Sequence, residues 1–169
     1  MKLYETFQFL TGEECDQIIK YAKQNDIIKG TTLGKKVHNI RNNRIVWYRD
    51  AAKWQKWIEM FNTIDKPCID WIQPPQISFY NPGEKYDWHE DSWPCFRTHL
   101  RHYTLTCELQ SAPGARIELE KYDFPPLKQG EAIIFKPEDI HRATTPTQGE
   151  RISFTIWAMA LNPKNPNKR

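Results

Sequence analysis

The chain has 169 residues, 39% hydrophobic, 27% charged and 13% aromatic, which is room for one compact domain with a buried core and excludes a disordered chain. A net charge of +3, much of it in the terminal segment NPKNPNKR, does not by itself point to nucleic acid. No stretch approaches the roughly 18 apolar residues of a membrane-spanning helix and MKLYETFQFL lacks a secretory pattern, so a cytoplasmic protein with no membrane contact is expected.

In chain order, Thr11 followed by Glu14 is a capping-box pattern, and Cys15, Ile18, Ile19 and Ala22 recur at helical spacing, which predicts a helix over about 12–25. NDIIKGTTLGKKVHNIRNN reads as loop with one short strand, and RIVWY as another strand. DAAKWQKWIEMFNTI predicts a second helix over about 50–63, with Trp54, Trp57, Ile58 and Phe61 on a face that packs into the core. From Gln73 onward, prolines and glycines punctuate QISFY, HYTLTCEL, ARIELEKY, EAIIFK and RISFTIWAMA. Short strands between such turns predict an antiparallel sandwich or jelly roll, one sheet covered by the two helices. Cys15, Cys68, Cys95 and Cys107 are widely spaced without a CxxC pair, the pattern of reduced, buried thiols. One domain is expected over 1–160, followed by a basic tail over 161–169.

Chemistry concentrates in YNPGEKYDWHEDSW, where His89 and Asp91 are two apart. On an extended strand they point to the same side and Glu90 points away. His141 offers a third ligand in EDIHRATTPTQGERISFTIW, read as a hairpin that lays 141–144 beside 151–154 and so brings Arg151 near His141. Two histidines and one carboxylate form a facial triad, which leaves open positions on Fe(II) for an organic co-substrate and O2. A buried guanidinium suits a dicarboxylate, because its planar fork binds a carboxylate bidentately. Cys95, His99 and His102 show a C-x3-H-x2-H spacing, but a fourth ligand is missing and strand alternation separates the side chains, so surface or core-edge histidines are expected.

This order of His-x-Asp, about fifty residues, His, and an arginine ten later resembles the 2-oxoglutarate and Fe(II)-dependent dioxygenases, and more narrowly their prolyl 4-hydroxylase branch. FYNPGEKYDWHED, RHYTLTCEL, GEAIIFKPEDIHRATTPTQGERISFTIW and the opening FLTGEECDQII are each similar to segments of that branch. The resemblance implies a double-stranded β-helix, a mainly β jelly roll with two N-terminal helices on one sheet. It also implies that His89, Asp91 and His141 hold iron and that Arg151 pairs with the distal carboxylate of 2-oxoglutarate. Ser153, on the same strand face as Arg151, could add a hydroxyl, and Tyr80 matches the tyrosine that reaches the co-substrate. The implied cofactors are Fe(II), 2-oxoglutarate and O2, with ascorbate a candidate addition. The implied reaction is hydroxylation of a C–H bond, in a prolyl residue of a protein or peptide or in a small molecule, with decarboxylation of 2-oxoglutarate to succinate.

Some positions depart from the branch's pattern. Gly114, Ala115 and Arg116 stand for a frequent Gly-Gly-Glu, and Glu108 for a strand tyrosine. Asp91 is the carboxylate that halogenating relatives lose, which favours hydroxylation. Nucleobase-repairing relatives carry a second arginine where this chain has Trp157, which counts against a nucleic-acid substrate. The rival from another class is a non-catalytic β-sandwich binding module with a structural metal site. Trp88 and Trp93 flank the motif as candidates for a substrate wall or a barrel seal. Oligomeric state is not legible in the sequence.

Overall fold

The computed structural model describes residues 2–30, 40–64, 69–92 and 99–162. His38, Cys68, Trp93, Cys95, Arg97 and the basic tail beyond 162 lie outside them. Eleven strands are described: β1 (Thr6–Gln8), β2 (Ile28–Lys29), β3 (Arg44–Trp47), β4 (Ile69–Ile72), β5 (Gln76–Tyr80), β6 (Tyr86–His89), β7 (His99–Gln110), β8 (Ile117–Leu119), β9 (Glu131–Phe135), β10 (His141–Ala143) and β11 (Arg151–Leu161). Two helices, α1 (Gly12–Lys23) and α2 (Trp54–Phe61), lie near the N-terminus.

The helix α1 starts where the capping box predicts. The Thr11 hydroxyl accepts from the Glu14 N–H at 3.2 Å and the Glu14 carboxylate accepts from the Thr11 N–H at 2.9 Å, which satisfies two otherwise orphaned donors. Its buried stripe is Cys15, Ile18, Ile19 and Ala22. The second helix is shorter than its apolar pattern suggests, because a 3-10 turn over Ala51–Lys53, capped by Asp50, precedes α2.

Eight strands form a sheet in the order β1-β9-β7-β11-β5-β3-β2, with β4 also pairing with β11, and β6-β10-β8 form a second, smaller sheet. Alternation along the central strands decides what each face does. Ile152, Phe154, Ile156 and Ala158 of β11, Ile77 and Phe79 of β5, and Leu105 and Cys107 of β7 pack with the buried stripes of α1 and α2 into one core. The residues between them, Arg151, Ser153, Thr155 and Trp157 on β11, Gln76, Ser78 and Tyr80 on β5, and Thr106 on β7, line a cleft between the sheets. This is the double-stranded β-helix architecture, with both helices against the core face of the larger sheet. Gly130 opens β9 at φ +81, where a Cβ would collide with the Leu10 carbonyl, and its N–H donates to the Glu108 carbonyl at 2.8 Å, so only glycine fits this turn.

The expected hairpin between residues 141–144 and 151–154 does not form. β10 pairs with β6 and β8, whereas β11 pairs with β4, β5 and β7. Residues 144–150 instead cross between the sheets, tied elsewhere: Thr144 N–H donates to Arg116 O, Thr147 N–H to Pro113 O, and the Thr145 hydroxyl accepts from Gly83 N–H. Pro146 has no N–H to give a ladder. Among the described residues, no helix is long and apolar enough to cross a membrane.

Candidate functional site

The smaller sheet brings the three predicted ligands together. β10 and β6 pair with His141 directly opposite His89, and Asp91 follows two residues later, its N–H donating to Pro137 O at 2.6 Å. One ligand atom from each of His89, Asp91 and His141 lies within 4.8 Å of the others. His89 Nε2 is 3.9 Å from Asp91 Oδ1, and His141 Nε2 is 3.5 Å from Asp91 Oδ2.

The orientation of both rings is fixed from behind. His89 Nδ1 sits 2.7 Å from Asp87 O and His141 Nδ1 2.8 Å from Asp139 O; with Nδ1 donating to a carbonyl, each Nε2 lone pair points into the shared space. Burial, reinforced by the proximity of His141, pushes His89 down to about 3, so its imidazole is neutral near pH 7. Burial alone would raise the Asp91 carboxyl, but His141, His89, Arg101 and the Trp157 hydrogen bond hold it down at about 2. Two imidazole Nε2 atoms and an ionised carboxylate, converging within 4.8 Å, fit a divalent metal of the iron or zinc type.

Asp91 is itself held in place. Trp157 Nε1 donates to Oδ2 at 2.8 Å, Thr104 Oγ1 donates to the same oxygen at 3.1 Å, and Arg101 donates to the Asp91 carbonyl at 3.1 Å while its guanidinium lies over the Trp157 ring. Tyr86 stacks flat on His89 at 3.4 Å between ring centroids and carries the Arg41 guanidinium at 4.3 Å. Arg41 in turn donates to Asn43 and Gln76, and burial pushes the Tyr86 phenol up to about 12.

The other end of the cleft is formed by β5, β7 and β11. Arg151 is 1% exposed and lies opposite Tyr80 in the ladder, its guanidinium 5.4 Å from the Tyr80 ring centre. Ser153 and Tyr80 line the same wall. The Arg151 fork is not free on all sides, however. Its Nε donates to Glu108 Oε1 and Oε2 at 3.0 and 3.1 Å and its Nη2 to Oε2 at 2.7 Å. Nη1 has no acceptor among the described residues, and neither has the Tyr80 hydroxyl. One guanidinium edge and one phenol thus remain for an anionic ligand.

All six predicted site residues, His89, Asp91, His141, Arg151, Tyr80 and Ser153, border one cleft. Arg151 reaches it from the larger sheet rather than through a hairpin with His141. Trp88 does not line the cleft; it is 40% exposed, with the Arg142 guanidinium 4.4 Å over its ring. His99 pairs with Asp70 and His102 lies edge-on to Tyr103, while Cys15 and Cys107 are free and buried. Sequence reasoning missed Trp157, Thr104, Tyr86 and Glu108 as site residues. The signal for Thr104 and Glu108 was alternation, since polar residues every second position on HYTLTCEL share one face.

A family model described as the 2OG-Fe(II) oxygenase superfamily matches residues 75–159, the span that carries every residue of this cleft. A PKHD-type hydroxylase of Teredinibacter turnerae is 26% identical over 102 residues, 54% of this chain; the match spans 45% of that relative's length. Among solved structures, the viral collagen prolyl hydroxylase of Paramecium bursaria Chlorella virus-1, in complex with 2OG, superposes with a TM-score of 0.73 at 24% identity, covering 92% of this chain and 95% of that one. A Pseudomonas putida prolyl-4-hydroxylase reaches 0.69 at 17% identity over 91% of each chain. A Trichoplax adhaerens prolyl hydroxylase, in complex with a hypoxia inducible factor peptide fragment, reaches 0.66 at 15% identity, covering 92% of this chain and 83% of that one.

Proposed function

Since the chain belongs to the 2OG-Fe(II) oxygenase superfamily, we propose that it is a dioxygenase that uses Fe(II), 2-oxoglutarate and O2 to hydroxylate a C–H bond, with a prolyl residue of a protein or peptide as its substrate. The observation that carries this reading is the convergence of two imidazoles and one ionised carboxylate on the cleft that Arg151 also lines. In this reading His89 Nε2, His141 Nε2 and the Asp91 carboxylate hold the metal, and Arg151, Tyr80 and Ser153 receive the distal carboxylate of the co-substrate. When bound, Fe(II) and 2-oxoglutarate supply the oxidising chemistry: one O2 converts the keto acid to succinate and CO2, and its second oxygen atom enters the C–H bond.

The chain's own residues bind, orient and exclude water. The Asp87 and Asp139 carbonyls fix the histidine tautomers, and Trp157 and Thr104 fix the carboxylate, the kind of support that sets metal affinity and ligand geometry. Tyr86 covers one face of the His89 ring and so closes that flank to solvent. Asp91 would hold the metal as a carboxylate, which suits hydroxylation. Trp157 fills the position of a nucleobase-directed arginine and is committed to Asp91. The peptide substrate is supported by the kind of protein that shares this fold along nearly the whole chain.

The test is turnover on proline-containing peptides with Fe(II), 2-oxoglutarate and ascorbate in air. The proposal expects a mass gain of one oxygen atom on proline, matched one-to-one by succinate and lost in His141→Ala. Succinate without peptide oxidation would overturn the prolyl substrate; absence of succinate with every substrate class would overturn the dioxygenase reading.

A further inference from the structure

We infer that 2-oxoglutarate binds this chain together with one proton, which is taken up by Glu108. The inference rests on the reading that Arg151 receives the distal carboxylate. Glu108 is 2% exposed and Arg151 1%, and three contacts of 2.7–3.1 Å make them a closed ion pair. Arg151 is the only hydrogen-bond partner of the Glu108 carboxylate among the described residues. The pair is neutral before any ligand arrives. A second carboxylate on the remaining guanidinium edge leaves two anions on one cation, in a place that water reaches poorly, and an unbalanced buried charge is costly.

Among the described residues, Arg151 is the only cation that contacts the Glu108 carboxylate. Arg41 and Arg101 are engaged at the metal end with Gln76, Asn43 and Asp91. Among the described residues, the titratable groups around Glu108 are Arg151 on β11, Tyr80 beyond it on β5, and Cys107 beside it with Cys15 of α1 behind the strand. Glu131 at the start of β9 accepts from the Lys128 N–H. None of them supplies positive charge beyond that of Arg151. Proton balance therefore closes as Glu108 carboxylate, ligand carboxylate and H⁺ going to Glu108 carboxylic acid and an Arg151-bound ligand carboxylate. Burial already pushes the Glu108 carboxyl up against the pull of Arg151, so the proton goes where the site is most prepared to take it.

Linkage sets the sign: where Glu108 is ionised in the free protein, the dissociation constant of 2-oxoglutarate rises by up to about tenfold per pH unit. Calorimetric titration of the Mn(II)-loaded protein with 2-oxoglutarate, in two buffers of different ionisation enthalpy, counts the protons. The inference expects close to one proton taken up by the wild type. In Glu108→Gln it expects that proton to vanish, the pH dependence to flatten and binding at pH 8 to tighten by about tenfold. An infrared difference spectrum of the wild type should gain a protonated-carboxyl band on binding, which decides the matter even if the variant does not fold. No proton uptake by the wild type, or unchanged uptake in Glu108→Gln, would overturn the inference. An affinity indifferent to Arg151→Gln/Glu108→Gln would instead overturn the assignment of Arg151 on which it rests.

Discussion

At one end of the cleft, two imidazole nitrogens and a carboxylate face one another, with Arg101 3.6 Å from that carboxylate; at the other, Arg151 is already clasped by Glu108. Both ends are buried, yet their charge is managed in opposite ways. The metal end concentrates lone pairs and places its donors, Trp157, Thr104 and Arg101, behind Asp91. It is built to be completed by a cation. The Arg151 end is complete without a ligand, so it is stable when empty and must rearrange protons or charge to accept an anion. The contrast also maps onto the architecture: the histidines come from the small three-stranded sheet and the ion pair from the middle of the large one.

Substitutions can break each half of this contrast separately. The largest functional effect belongs to Asp91→Ala and His141→Ala, whose turnover should fall to background while urea unfolding stays cooperative, because the larger of the two hydrophobic clusters lies on the opposite face of the large sheet. An unfolded Asp91→Ala protein would mean that the ligand end carries stability after all. Arg151→Ala should act the other way, mainly on the fold. Stranding Glu108 without its cation costs about 3–5 kcal/mol in denaturant unfolding, most of it regained in the Arg151→Ala/Glu108→Ala double variant. Additive losses would show that the two residues are not a unit.

Trp157→Phe keeps the buried ring but removes the Nε1–H that Asp91 accepts. Fe(II) affinity, measured by competition with a chelator, should weaken about 10–100-fold with little change in stability; unchanged affinity would make the hydrogen bond incidental. A further effect is one of pH on the metal-free protein. His89 goes from an ordinary value of 6.5 to about 3 in the fold, so the unfolded chain binds the extra proton between those values. Stability should therefore decline as pH falls from 6.5 towards 3, and His89→Leu should flatten that decline.

How far the sequence alone reaches differs between the same two ends. His89 and Asp91 were legible because their two-residue spacing on an extended segment puts them on one side, and His141 because it lies in a strand-rich segment with an arginine ten residues on. The helices were legible from capping and apolar spacing. The hairpin was not, because a turn-rich segment between two strands looks the same whether those strands pair or part into different sheets. Only the partners of β11, buried on both faces, settle that. Glu108 was visible as an odd carboxylate among apolar residues, but its partner depends on the β7–β11 register that sets Ser153 opposite it. Trp157 was readable as an absent arginine, while its bond to Asp91 depends on how the end of β6 is set against β11.

The most direct test is an anaerobic titration of metal-free protein with Fe(II) and then 2-oxoglutarate, following the weak visible charge-transfer band of a chelated keto acid. The wild type should develop the band, His141→Ala should not, and Arg151→Gln/Glu108→Gln should need about 10²-fold more 2-oxoglutarate to reach it. Iron binding without the band, or a band indifferent to His141, would contradict the assignment of this cleft as one Fe(II) and 2-oxoglutarate site.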